Sequence, residues 1–114
     1  MLKNLSIIIP SKNEAKNLEF ILPQLVNFSD DIIVVDGHSK DGTENICKIN
    51  NVSFKLDNGY GKGDAQRVGV SLAKYKYIIF FDADGSHDEN DIEKIYQKIV
   101  EDNVDLVICS RKTG

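Results

Sequence analysis

The sequence predicts a three-layer α/β sandwich built on a mostly parallel five-stranded sheet. Short apolar runs rich in Ile, Val and Phe alternate with segments of helical period along the whole chain. Four of those runs are apolar without interruption, the pattern of strands covered on both faces of a parallel sheet. The 114 residues are 41% hydrophobic and 28% charged, enough for one core and one domain.

Leu5 to Ile9 is the first run, and Ala15, Leu18, Leu22 and Leu25 mark a first helix that Pro23 should kink or interrupt. Ile32 to Val35 is the second run. Asp41 and Glu44 then have the spacing of a capping box for the helix before the third strand. Val52 to Leu56 alternates apolar with polar, so it reads as an edge strand with one wet face. Ala65, Val68, Leu72 and Tyr75 give the stripe of a third helix, and Tyr77 to Phe81 is the next buried run. Ile92, Ile95, Tyr96, Ile99 and Val100 form the apolar face of the last helix, with Ser86 and Glu89 as its capping box. Val104 to Ile108 completes the series. The chain has no internal repeat, low-complexity tract or linker.

Composition excludes several classes of function. Lys and Arg number 14 against 18 Asp and Glu, a net charge of −4 with no basic run, which argues against nucleic acid as a partner. Cys47 and Cys109 make no CxxC pair and no metal-ligand cluster with His38 or His87, so reduced thiols are expected. The longest apolar runs are about five residues, against the roughly 20 that a spanning helix needs. Met1-Leu2-Lys3-Asn4 enters a strand-like run at once, so no leader is expected and the cytoplasm is the expected compartment.

Ligands of open parallel sheets bind outside the carboxyl ends of the strands. In this chain those ends are rich in polar residues: Pro10 to Glu14, Asp36 to Thr43, Asn58 to Asp64, Asp82 to His87, and Ser110 to Lys112. Asp82 and Asp84 stand out. In extended chain, residues two apart point the same way, so these carboxylates can converge on a divalent cation that also holds diphosphate oxygens. The plainer alternative is that they sit before a helix N-terminus, where negative charge is welcome anyway. Gly59-Tyr60-Gly61-Lys62-Gly63 bares backbone N–H groups around Lys62, for a phosphate or simply for a turn. It matches neither the phosphate loop of NTPases nor the dinucleotide fingerprint, which disfavours both chemistries. Arg111 can meet phosphate oxygens in a bidentate fashion, or merely end a strand. For His38 and His87, a solvated or capping role is the simpler reading.

These residues together resemble a family. Ile8-Ile9-Pro10-Ser11-Lys12-Asn13-Glu14-Ala15-Lys16-Asn17 is similar to the opening "IIPxxNExxN" of family 2 glycosyltransferases with the GT-A fold. Val34-Val35-Asp36-Gly37-His38-Ser39-Lys40-Asp41-Gly42-Thr43 resembles that family's "VVDDGSxDGT", and Gly61-Lys62-Gly63-Asp64-Ala65 its "GxGxA". Phe81-Asp82-Ala83-Asp84-Gly85-Ser86-His87 and Ile108-Cys109-Ser110-Arg111 resemble the "DADxSH" and "GSR" of its dolichol-phosphate mannosyltransferase branch.

The resemblance implies that residues 1–114 are a single donor-binding domain, GT-A or Rossmann-like, that stops short of the acceptor half. It implies transfer of a sugar from a nucleoside diphosphate donor with Mg²⁺ or Mn²⁺ as cofactor. Pro10, Lys12, Glu14, Val35 and Asp36 become the nucleoside pocket, with Lys62, Asp82 and Ala83 completing the nucleotide-binding set. Asp82 and Asp84 become the metal ligands and, with Arg111, the catalytic group acting on the diphosphate. Implied partners are a lipid-phosphate acceptor or a partner chain at the membrane surface, which would make the protein peripheral to the cytoplasmic face. Two departures stand out: Gly37 replaces a second acidic residue, and Ser86 stands where some relatives have a further metal ligand. The competing readings are a nucleotide-sugar-binding module or fragment without turnover, and a phosphoacceptor receiver. A receiver needs an acidic pair after the first strand and a Lys after the last, where this chain has Glu14 alone and Arg111-Lys112.

Overall fold

The computed structural model describes residues 1–84, 90–102 and 106–109, the last stretch by its backbone. Along the chain run β1 (Leu5–Ser11), α1 (Ala15–Leu25), β2 (Asp31–Asp36), α2 (Thr43–Ile49), β3 (Ser53–Leu56), α3 (Lys62–Leu72), β4 (Tyr77–Phe81), α4 (Asp91–Asp102) and β5 (Leu106–Cys109). The strands pair in the order β3-β2-β1-β4-β5, every pairing parallel, so all of them end on the same edge of the sheet. This is the predicted α/β architecture with a parallel sheet.

Successive strand residues face opposite ways, and the core divides accordingly. Ile7, Ile9, Ile32, Val34, Ile79 and Phe81 pack under α1, α2 and α4, against Leu18, Leu22, Cys47, Ile92 and Ile99. Ile8, Ile33, Val35, Ile78 and Phe80 face the other way and are covered by α3 through Ala65 and Val68. Gly69 lets α3 come that close: a Cβ there would lie 2.3 Å from Ile8 Cγ2.

The structure corrects four local expectations. α1 runs through Pro23 to Leu25, because the proline sits in the last turn with its ring exposed and forfeits only one hydrogen bond. The capping box of Asp41 and Glu44 does not form; the N-cap of α2 is Gly42, with no side-chain cap, and Asp41 reaches back to α1 instead. The third stripe stops short of Tyr75, which lies beyond α3, and Leu72 is 41% exposed, so Gly69 rather than Leu72 faces the sheet. β3 is the expected edge strand, yet its own Leu56 is 51% exposed, so Val52 and Phe54 supply its contact with the core. Ser86 and Glu89, the other capping pair, lie outside the described residues. No helix among the described residues is long and apolar enough to cross a membrane.

Candidate functional site

The carboxyl edge of the sheet holds a cavity of about 300 Å³. Its walls come from the end of β1 and the loop after it (Pro10, Ser11, Lys12, Glu14), from Gly37 after β2, and from Asp57, Gly59, Gly61 and Lys62 after β3. Ala65 of α3 and Asp82, Ala83 and Asp84 after β4 complete it. Four chain segments far apart in sequence therefore meet where strand order reverses between β1 and β4, the position expected of a ligand site in such sheets.

The β4 side carries the charge. Asp82 and Asp84 both line the cavity, and Lys62 Nζ lies 2.6 Å from Asp82 Oδ1, an ion pair that spans it. Lys62 opens α3, and Gly59 and Gly61, at φ 86° and 92°, give its loop the left-handed backbone that turns it there. Asp64 fastens the same loop: its carboxylate accepts the Asn58 backbone N–H at 2.6 Å and Asn58 Nδ2 at 3.0 Å. The Asn58 side chain, ahead of burial, sets the balance and holds the Asp64 carboxyl below its ordinary pKa. Ala83 is buried and Asp84 exposed. Among the described residues no group of three or more His, Cys, Asp or Glu side chains gathers to hold a metal. A divalent ion here would draw protein ligands from Asp82 and Asp84, hard oxygen donors of the kind Mg²⁺ and Mn²⁺ take alongside phosphate oxygens and water.

The β1 and β2 loops are laced together. Gly37 N–H donates to the Ser11 carbonyl at 2.7 Å and Asn13 N–H to Ser39 Oγ at 2.6 Å. Asp41 accepts the Ala15 N–H at 3.0 Å and Thr43 Oγ1 at 2.6 Å, so it ties the start of α1 to the start of α2. The Thr43 hydroxyl and that borrowed N–H hold its carboxyl below the ordinary range. Glu14, in the cavity wall, accepts Asn17 Nδ2 at 2.7 Å.

Two members of the expected nucleoside set sit elsewhere. Val35 is fully buried in the α3-side core, and Asp36 is 1% exposed with its carboxylate accepting Ser39 N–H at 2.6 Å and Ser39 Oγ at 2.7 Å. Asp36 borders a separate shallow depression with His38 and Phe54. Pro10, Lys12, Glu14, Lys62, Asp82, Ala83 and Asp84 do come together in the main cavity. Arg111 and His87 lie outside the described residues. Cys47 lies on the buried face of α2, and that burial, with Asp36 and Glu44 nearby, pushes its thiol up to about 11, as expected of an unreactive reduced cysteine.

Sequence reasoning missed one residue and gave a second, Ser11, no role. Asp57 comes directly after β3 and is 9% exposed, with its Oδ1 accepting Gly59 N–H at 2.9 Å and lying 3.5 Å from His38 Nε2. Its signal was its position at a strand's carboxyl end, hidden by reading the loop from Asn58 onward. Ser11 is 7% exposed, and its Oγ has no hydrogen-bond partner although it lines the cavity.

The family model for glycosyl transferase family 2 matches residues 6–114. The UDP-N-acetylglucosamine–dolichyl-phosphate N-acetylglucosaminyltransferase of Methanococcus voltae is 33% identical over 96% of this chain and 52% of its own length. The chain thus spans about half the length of the first curated relatives it matches. Mannosyl-3-phosphoglycerate synthase from Rubrobacter xylanophilus superposes with a TM-score of 0.64 at 28% identity, over 71% of this chain and 30% of that one. Glucosyl-3-phosphoglycerate synthase from Mycobacterium tuberculosis, crystallised with Mn²⁺, UDP and glucosyl-3-phosphoglycerate, has the same fold at 22% identity, with a TM-score of 0.65 over 71% of this chain and 33% of its own. With all but its first five residues inside the family model and a Methanococcus relative at one-third identity, the chain belongs to glycosyl transferase family 2.

Proposed function

We propose that this chain binds the donor for a glycosyltransferase that moves a sugar from a nucleoside diphosphate to a phosphate-bearing acceptor, a lipid phosphate at the cytoplasmic membrane face. One observation carries the reading: Lys12, Glu14, Lys62, Asp82 and Asp84 line a single cavity at the carboxyl edge of the sheet. The kinship with a dolichyl-phosphate transferase supports the class of acceptor.

In this reading Asp82 and Asp84 hold Mg²⁺ or Mn²⁺, which supplies Lewis-acid stabilisation of the departing diphosphate. Lys62 moves its ammonium from Asp82 to the diphosphate oxygens, and Ala83 packs beneath them. Lys12 and Glu14 position the nucleoside beside Pro10, and Asp36 acts through the Ser39 loop. Arg111 adds a bidentate contact to the diphosphate. The sugar's anomeric carbon breaks its bond to the diphosphate oxygen, which leaves with the electron pair, and forms one to an acceptor phosphate oxygen. That oxygen is already ionised, so the step asks no proton transfer of the protein.

Calorimetry with UDP and GDP, with and without Mn²⁺, tests the binding, and labelled sugar transfer to a polyprenyl phosphate in detergent tests the reaction. Metal-dependent binding accompanied by transfer is expected. Binding without transfer would reduce the chain to a nucleotide-sugar-binding module, and absence of binding would overturn the proposal.

A further inference from the structure

We infer that Asp57 is the residue that selects the donor's base, standing in for the acidic side chain that Gly37 lacks. The inference rests on the nucleotide-donor reading and adds a residue and a base class to it. A Cβ built on Gly37 would lie 3.5 Å from Asp57 Oδ2 and 3.4 Å from Lys12 Cδ, ordinary van der Waals contact. The carboxylate at the end of β3 therefore borders the volume that a side chain at the end of β2 would enter.

Asp57 is held for such a task. Its N–H extends the sheet ladder to the Asp36 carbonyl at 3.0 Å, and its own carbonyl lies 3.0 Å from His38 Nε2. A carbonyl can only accept, so that contact places the proton on Nε2. His38 has φ 65°, a left-handed backbone that is uncommon outside glycine. Gly59 N–H fixes Oδ1, and among the described residues no hydrogen bond engages Oδ2. Ser11 Oγ, more than nine-tenths buried in the same wall and without a partner, is a second polar group waiting for one.

Distance assigns the two ends of the cavity to two ends of a ligand. From β4 to β3 the sheet spans three strand spacings, about 14 Å at roughly 4.8 Å each. With the diphosphate at Asp82 and Asp84, that span carries an extended nucleoside to the β3 end base first. A carboxylate there accepts a ring N–H, which uracil offers at N3 and guanine at N1. Cytosine N3 and adenine N1 present lone pairs instead, which repel the carboxylate and leave only the neighbouring amino group to donate. Asp57 thus favours uridine or guanosine donors over cytidine or adenosine ones.

The test measures affinities of UDP, GDP, CDP and ADP with Mg²⁺ present, for the wild type, Asp57→Asn, and the double variant Gly37→Asp with Asp57→Asn. The wild type should prefer UDP or GDP to CDP and ADP by at least about tenfold, the scale of one hydrogen bond to a charged group. Asp57→Asn should collapse that ratio, and returning a carboxylate at position 37 should restore part of it. A structural role for Asp57 would lower all four affinities alike and show no rescue, which overturns the inference. So would a wild type that ranks the four equally. If no nucleoside diphosphate binds the wild type, the donor reading itself fails, an outcome distinct from binding without discrimination. Melting curves of both variants separate a loosened loop from lost recognition, because only recognition is rescued in the double variant.

Discussion

Asp36 closes β2 and Asp82 lies just past β4, two carboxylates at equivalent places on neighbouring halves of one sheet, yet they have opposite fates. Asp36 is sealed and gives both oxygens to Ser39, while Asp82 looks across a cavity at Lys62. The turn behind Asp36 is what seals it. After Asp36 the chain turns back at once, with Gly37 bonded to Ser11 and His38 in a left-handed conformation, so a backbone N–H is delivered to the carboxylate. Asp82 instead pairs with a flexible side chain from another element, a contact that an entering ligand can displace. Asp36 is structural because the turn behind it supplies its donors, whereas Asp82 presents its carboxylate to the cavity and to Lys62.

The largest expected effect is on the open side. Asp84→Ala should lower Mn²⁺-dependent affinity for UDP at least 100-fold in calorimetry while leaving the fold intact, because the side chain is exposed. Unchanged affinity would remove the metal assignment. On the sealed side Asp36→Ala should cost about 1–2 kcal/mol of unfolding free energy in urea, since it strands the part-buried Ser39 N–H and hydroxyl. Loss of UDP binding with full stability would instead make Asp36 a direct ligand contact and break the contrast. Lys62→Ala should change stability by less than about 1 kcal/mol, as exposed ion pairs do, and weaken diphosphate binding several-fold more than nucleoside binding. The smallest effect concerns Asp41. Its folded pKa lies below the ordinary 3.8, so its contribution is present above that value and is lost as pH falls through the folded pKa. Asp41→Asn should therefore flatten the acid side of the stability profile below about pH 4 and leave neutral behaviour nearly unchanged.

The alternation of uninterrupted apolar runs with helical stripes revealed the layers, because two-sided burial leaves a composition that no edge or loop segment mimics. The β4 carboxylates and Lys62 were likewise legible from their placement at strand ends. Partners across the rim were not. Asp41 has a capping-box spacing with Glu44, but its carboxylate accepts an N–H of α1, 26 residues back. Val35 and Asp36 carry a family motif, and the motif does not say which way each side chain points: period-two geometry turns Val35 into the α3 face. Asp57 escaped notice because a lone acid beside Asn58 and Gly59 reads as turn chemistry. Only the fold sets it beside Gly37.

The lacing between Asn13 and Ser39, Ala15 and Asp41, and Gly37 and Ser11 has a mechanical consequence. The two rim segments after β1 and β2 share one set of fasteners, so neither can swing independently of the other, and on the β4 side the Lys62–Asp82 ion pair reaches across the cavity. The wall that the β1 and β2 loops build is thus preformed, its shape set as the chain folds.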